Sequence, residues 1–182
     1  GRAHARGAGR PTLNIRDLSA VIESARARGP GTLDRWIREH LPEASEAQVE
    51  EAVVAAEEII DSVPIFLARV QQAADEKGVA QVVSPILERA VSYFLTPVDL
   101  IPEMTQGMAG LLDDAYLVLR IIKNLDQGPE PLLEWELDEP IRFLKRLVGP
   151  EISSQLDQYS VRSMQEAEVE FQRYWDAMSA QA

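Results

Sequence analysis

Residues 90–125 read AVSYFLTPVDLIPEMTQGMAGLLDDAYLVLRIIKNL, two helical patterns on either side of a proline-bearing bend. Upstream, Ser84-Pro85 opens a helix that carries Ile86, Leu87, Ala90, Val91, Phe94 and Leu95 at helical spacing. Downstream, residues 111–125 form the most apolar helical pattern in the chain. Between them Thr96-Pro97-Val98-Asp99 reads as a capping unit. Threonine stands at the N-cap, proline at the first helical position, and aspartate at the third, where its carboxylate meets free N–H groups and the positive helix end. Pro102 limits any helix begun there, so the segment is a tight corner. No stretch shows the sustained alternation of a half-buried strand. The fold expected is all-α, a compact multi-helix bundle with a central helical hairpin and no β-sheet.

Asp113 and Asp114 separate on a helical wheel. Asp114 falls between Ile121 and Leu125 and near Val118, inside the apolar arc, whereas Asp113 falls with Arg120 and Asn124 on the polar side. An ionised carboxylate on a buried face is costly unless it is paired or hydrogen-bonded, so Asp114 is expected to have a specific partner. Candidates are Arg89, the Tyr93 hydroxyl, or backbone N–H groups of the 96–102 corner.

Tyr93, Thr96, Pro97, Asp99, Leu100, Ile101 and Pro102, followed by Gly110, Asp113 and Asp114, resemble the diagnostic stretch of the YkvA-like family. That family is a small helical domain of unknown function, widespread in bacteria. The resemblance implies a helical fold and no established reaction. It departs from the pattern at Glu103, where aspartate is usual, and at Gln106-Gly107, where a further proline is usual and one residue is extra.

Two physical readings of the acids follow. In one, Asp114 braces the corner and Asp99 caps it, a clasp holding two helices in register. In the other, Asp99, Glu103, Asp113 and Asp114 converge on a divalent cation, for which hard carboxylate oxygens suit Mg²⁺, Ca²⁺ or Mn²⁺. The clasp weighs more, and no cofactor is expected under it; Mg²⁺ or Ca²⁺ belongs to the alternative. The chain has no EF-hand loop, no phosphate-cradling glycine loop with lysine and no Gly-x-Ser-x-Gly elbow. His40 falls near the end of a short helix and His4 in the N-terminal arm, and neither has a clear acid or nucleophile partner in sequence. Trp36, Trp135 and Trp175 are expected on separate helices as packing residues.

Outward from the hairpin, helices are expected at 15–28, stopped by Gly29-Pro30-Gly31, and at 33–41. Ser45 and Gln48 form a capping-box signature for the next helix, whose stripe is Val49, Ala52, Val53, Ala56, Ile60 and Val63. Pro64 suits a first turn better than a helix interior, so one helix is expected to end near Asp61 and another to run on to about Glu76, closed by Gly78. After Gly128-Pro129 and Pro131, helices are expected at 138–148 and 160–178. The last carries Val161, Met164, Phe171, Trp175 and Met178 as an amphipathic stripe suited to core packing or to oligomerisation.

With no cysteine among 182 residues, thiol nucleophiles, iron–sulfur clusters and cysteine-based zinc sites are excluded. Residues 1–38 hold eight arginines against three acids, a surplus of five, although the whole chain carries −12. So acidic a body repels phosphate backbones and anionic lipid, which argues against nucleic acid as its partner. Residues 1–12 are expected to be a flexible basic arm, residues 13–148 a helical domain containing the hairpin at about 80–126, and residues 149–182 a C-terminal helical extension packed on it. The arm shows no secretory signal pattern, and no segment reaches about 18 uninterrupted apolar residues, so a soluble cytoplasmic protein is expected. The function expected is a non-enzymatic scaffold or protein-interaction module. The alternatives are a metal-assisted hydrolase using the hairpin acids and a peripheral membrane protein inserting Leu100 and Ile101.

Overall fold

From Leu112 to Leu119 every side chain is buried, so the helix they form has no face toward water. A helix apolar on nearly all sides must be wrapped by others, and the computed structural model shows the wrapping. It describes residues 13–96, 100–101, 107–126 and 134–180, with only the backbone for 170–175 and 177–180. Among these are seven α-helices: α1 (Ile15–Arg28), α2 (Thr32–His40), α3 (Glu46–Glu76), α4 (Ala80–Leu95), α5 (Leu112–Leu125), α6 (Asp138–Val148) and α7 (Pro150–Ala180). A 3₁₀ turn, Gly107–Leu111, leads into α5, and no strand occurs among the described residues. Helices α3, α4, α6 and α7 all pack on α5, and α1 and α2 close over the 3₁₀ turn. The fold is all-α, as expected.

The helix ends follow their local chemistry. Ser45 and Gln48 form the capping box: the Gln48 N–H donates to Ser45 Oγ at 3.2 Å, and the Ser45 N–H donates to Gln48 Oε1 at 2.9 Å. At the other end of α3, Gly78 takes φ +71°. Its N–H reaches the Asp75 carbonyl at 3.2 Å while the Val79 N–H reaches that of Ala74 at 2.9 Å. Together these satisfy carbonyls the helix would otherwise leave open.

Three boundaries differ from expectation. α3 runs unbroken through Pro64 instead of dividing near Asp61. The missing N–H costs about 3 kcal/mol, but the buried face continues through Ile60, Val63, Leu67 and Val70. Each such side chain contributes about 1.5–3 kcal/mol, which offsets the loss. α4 begins at Ala80, so Pro85 lies inside it rather than opening it. Ser84, expected to start the helix, instead donates to Gln71 Oε1 across to α3 at 3.0 Å. α7 begins directly at Pro150, one residue after α6 ends, and not near Ser160. Proline suits a first helical position because its absent N–H has no partner there.

The seam of α7 also differs. Val161 is 50% exposed, while the buried positions are Ser153, Leu156, Ser160, Ser163 and Ala167, with Met164 partly buried. Small residues at alternating three- and four-residue spacing face inward, a pattern that hydrophobicity alone does not reveal. The side chains of Phe171, Trp175 and Met178 lie outside the described residues. Trp135 precedes α6 rather than sitting on a helix, and is 40% exposed against the edge of Phe66. Trp36 is half-buried and donates from Nε1 to the Leu147 carbonyl at 2.9 Å, tying α2 to α6. His40 stacks on Trp36, with ring centroids 4.0 Å apart.

Candidate functional site

The site begins where α4 ends. The Thr96 N–H donates to the Ser92 carbonyl at 2.7 Å, placing Thr96 at the C-cap of α4. Pro97, Asp99, Pro102 and Glu103 lie outside the described residues. Leu100 is partly buried against the core and Ile101 is fully inside it. These two apolar side chains of the corner therefore turn into the bundle.

Asp113 and Asp114 are both 2% exposed. The wheel places Asp113 on a polar face with Arg120 and Asn124, yet Asp113 is buried while those two are only partly so. Asp113 joins corner to helix. Its Oδ2 accepts from the Ile101 N–H at 3.1 Å and its Oδ1 from the Asp114 N–H at 2.9 Å. Both acids occupy the first turn of α5, where free N–H groups and the positive helix end favour negative charge. The candidate partners named for Asp114 also make bonds of their own, and residues 97–99 and 102 of the corner lie outside the described residues. Arg89 pairs with Glu166 of α7, the Tyr93 hydroxyl shares a hydrogen bond with Ser163 Oγ at 3.2 Å, and the Ile101 N–H goes to Asp113.

Gly107 opens the 3₁₀ turn at φ +53°. A Cβ there would lie 3.0 Å from Thr32 Oγ1, 3.1 Å from the Ala25 carbonyl oxygen and 3.3 Å from the Gly29 Cα. The loop between α1 and α2 thus seats directly on the start of the turn, and only glycine combines that conformation with that approach. Among the described residues, no group of three or more histidines or acids is placed to hold a metal ion. Asp99 and Glu103 are not among them, so convergence of the four acids lies outside what the structure describes.

A second cluster, absent from the sequence reading, lies further along the face of α5 that carries Asp113. The Tyr116 hydroxyl donates to Asp157 Oδ1 at 2.8 Å, and Arg120 Nε lies 3.2 Å from the same oxygen. Asn124 Nδ2 donates to Ser160 Oγ at 3.3 Å. Burial, reinforced by the hydrogen bond to Asp157, pushes the Tyr116 phenol well above its ordinary value, so it remains a proton donor across the physiological range. Tyr116 at helical spacing from Arg120 and Asn124 was the available signal; its partner forty-one residues away was not.

Residues 90–119 match the model of a family described as "Protein of unknown function (DUF1232)". No curated protein and no solved structure matches the chain. The matched residues run from within α4 to within α5, the same stretch that carries the YkvA-like resemblance. They include Tyr93, Asp113, Asp114 and Tyr116. All of α7 lies outside them.

Proposed function

We propose that the chain is a non-enzymatic helical scaffold or protein-interaction module in which the acid-bearing corner is a structural joint. One observation carries the reading: the Asp113 carboxylate accepts from two backbone N–H groups, one of them twelve residues upstream in the corner. A carboxylate so engaged fixes the path of the chain, and a general base needs lone pairs that can turn toward a substrate. The partner expected is another protein, since the −12 charge disfavours polyanions.

Activity and stability of Asp113→Asn, measured together, test this. The substitution is expected to leave the helical spectrum intact, lower unfolding free energy by about 1–3 kcal/mol, and change no turnover of phosphate-ester or peptide substrates supplied with Mg²⁺ or Mn²⁺. Turnover in the parent that disappears in a folded Asp113→Asn protein would overturn the reading.

The metal-assisted alternative draws support from two adjacent, buried acids at a helix start. Calorimetric titration of the parent with Mg²⁺, Ca²⁺ and Mn²⁺ at millimolar concentration decides it. Saturable heat lost in Asp114→Asn favours the metal, and flat traces remove it.

A further inference from the structure

α7 lies across the polar face of the hairpin. Tyr93 of α4 meets Ser163, Arg89 meets Glu166, Tyr116 and Arg120 of α5 meet Asp157, and Asn124 meets Ser160. Its fully buried side chains among the described residues are Ser153, Leu156, Ser160, Ser163 and Ala167, helped by the partly buried Ile152, Tyr159 and Met164. α3, of equal length, buries five branched aliphatics, Val49, Ile60, Val63, Leu67 and Val70, beside three alanines and Pro64, whereas α7 through residue 169 fully buries one, Leu156. A large aliphatic side chain removes several times more apolar area from water than serine or alanine does, so each turn of this part of α7 is held less by burial and more by polar bonds. Segments of that kind occupy the low-stability end of a fold.

We propose that α7 is a releasable cover over the hairpin, swinging away from α4 and α5 while the rest of the bundle stays folded. The joint is a single residue. Gly149 separates α6 from α7 at φ +88°, and a Cβ there would meet nothing within 4 Å. Release uncovers two tyrosine hydroxyls, two guanidiniums and an amide, groups that water solvates as readily as Asp157, Glu166 and the serines do, and it also bares the flank of α5 on which α7 packs. The uncovered face belongs to the interaction module proposed above, and α7 then competes with a protein partner for it; this regulatory consequence rests on that reading, whereas the release itself does not.

Hydrogen exchange on the full chain tests the release. Amides of residues 151–169 are expected to exchange at least roughly tenfold faster than those of 112–122, with a weak dependence on urea. Asp157→Asn is expected to speed exchange in α7 by roughly tenfold and leave α5 unchanged. Equal rates in the two helices, rising together with urea and accelerated equally by Asp157→Asn, would overturn the proposal. Because the chain has no cysteine, thiol labelling gives an independent reading. Ser163→Cys should react with a disulfide reagent at least roughly tenfold faster than Ala115→Cys, and equal reactivity counts against release. Turnover dependent on Asp113 would remove the module reading and leave these rates as they are.

Discussion

At the scale of single residues, two positions decide how the hairpin closes. Gly107→Ala combines an unfavourable positive φ with contact to backbone atoms of α1 and the following loop. It is expected to lower unfolding free energy by about 2–4 kcal/mol in urea titrations, the sum of the conformational and overpacking costs. Tyr116→Phe keeps the ring and removes the hydroxyl that Asp157 accepts from, so it is expected to cost about 1–2 kcal/mol by the same measurement. Asp113 shows what a wheel can and cannot supply. Its angular position beside Arg120 and Asn124 was legible in sequence, but its burial against the Ile101 N–H depends on how the corner folds back, which no local pattern announces. Of the Thr-Pro-x-Asp-Leu-Ile-Pro motif, Thr96 closes α4 as its C-cap and Leu100 and Ile101 pack toward the core, while the capping read for Pro97 and Asp99 lies outside the described residues. The Ile101 to Asp113 bond joins residues whose approach is set by tertiary folding.

Individual helices were legible where termini carry their own chemistry. α1 and α6 have the bounds their apolar periodicity and terminal glycines predict, and the Ser45–Gln48 box starts α3 where its hydrogen bonds require. Proline misled in both directions. Pro64 and Pro85 sit inside helices because buried neighbours outweigh a lost hydrogen bond, and burial is a property of the assembled bundle. Pro64→Ala restores the N–H facing the Ile60 carbonyl at the expense of some buried ring carbon. A net gain of about 1 kcal/mol is expected, read as a higher urea midpoint with an unchanged slope.

For the molecule as a whole, charge couples stability to pH. Arg38 bridges Asp34 on α2 and Glu46 on α3, holding both carboxyls below their ordinary values through hydrogen bonds. The Lys123 hydrogen bond does the same for Asp138, followed by that of Glu136, linking α5 to α6. A carboxyl lowered on folding binds fewer protons in the native state, so its contribution is complete above the ordinary values of 3.8 and 4.5 and is lost as pH falls below them. Arg38→Gln is therefore expected to lower the urea midpoint relative to the parent most at pH 6, with the difference shrinking toward pH 3. A difference independent of pH would show that the bridge contributes nothing through ionisation. No described helix is long and apolar enough to cross a membrane.

The complete enclosure of residues 112–119 bears on what the family-matched stretch can be by itself. Thirty residues containing a segment buried on every side need a sleeve to keep that burial. Here most of the sleeve comes from α3, α6 and α7, which the match does not reach. Wherever such a stretch is transplanted, the host must furnish its own jacket, and the identity of that jacket is where one bearer would differ from the next.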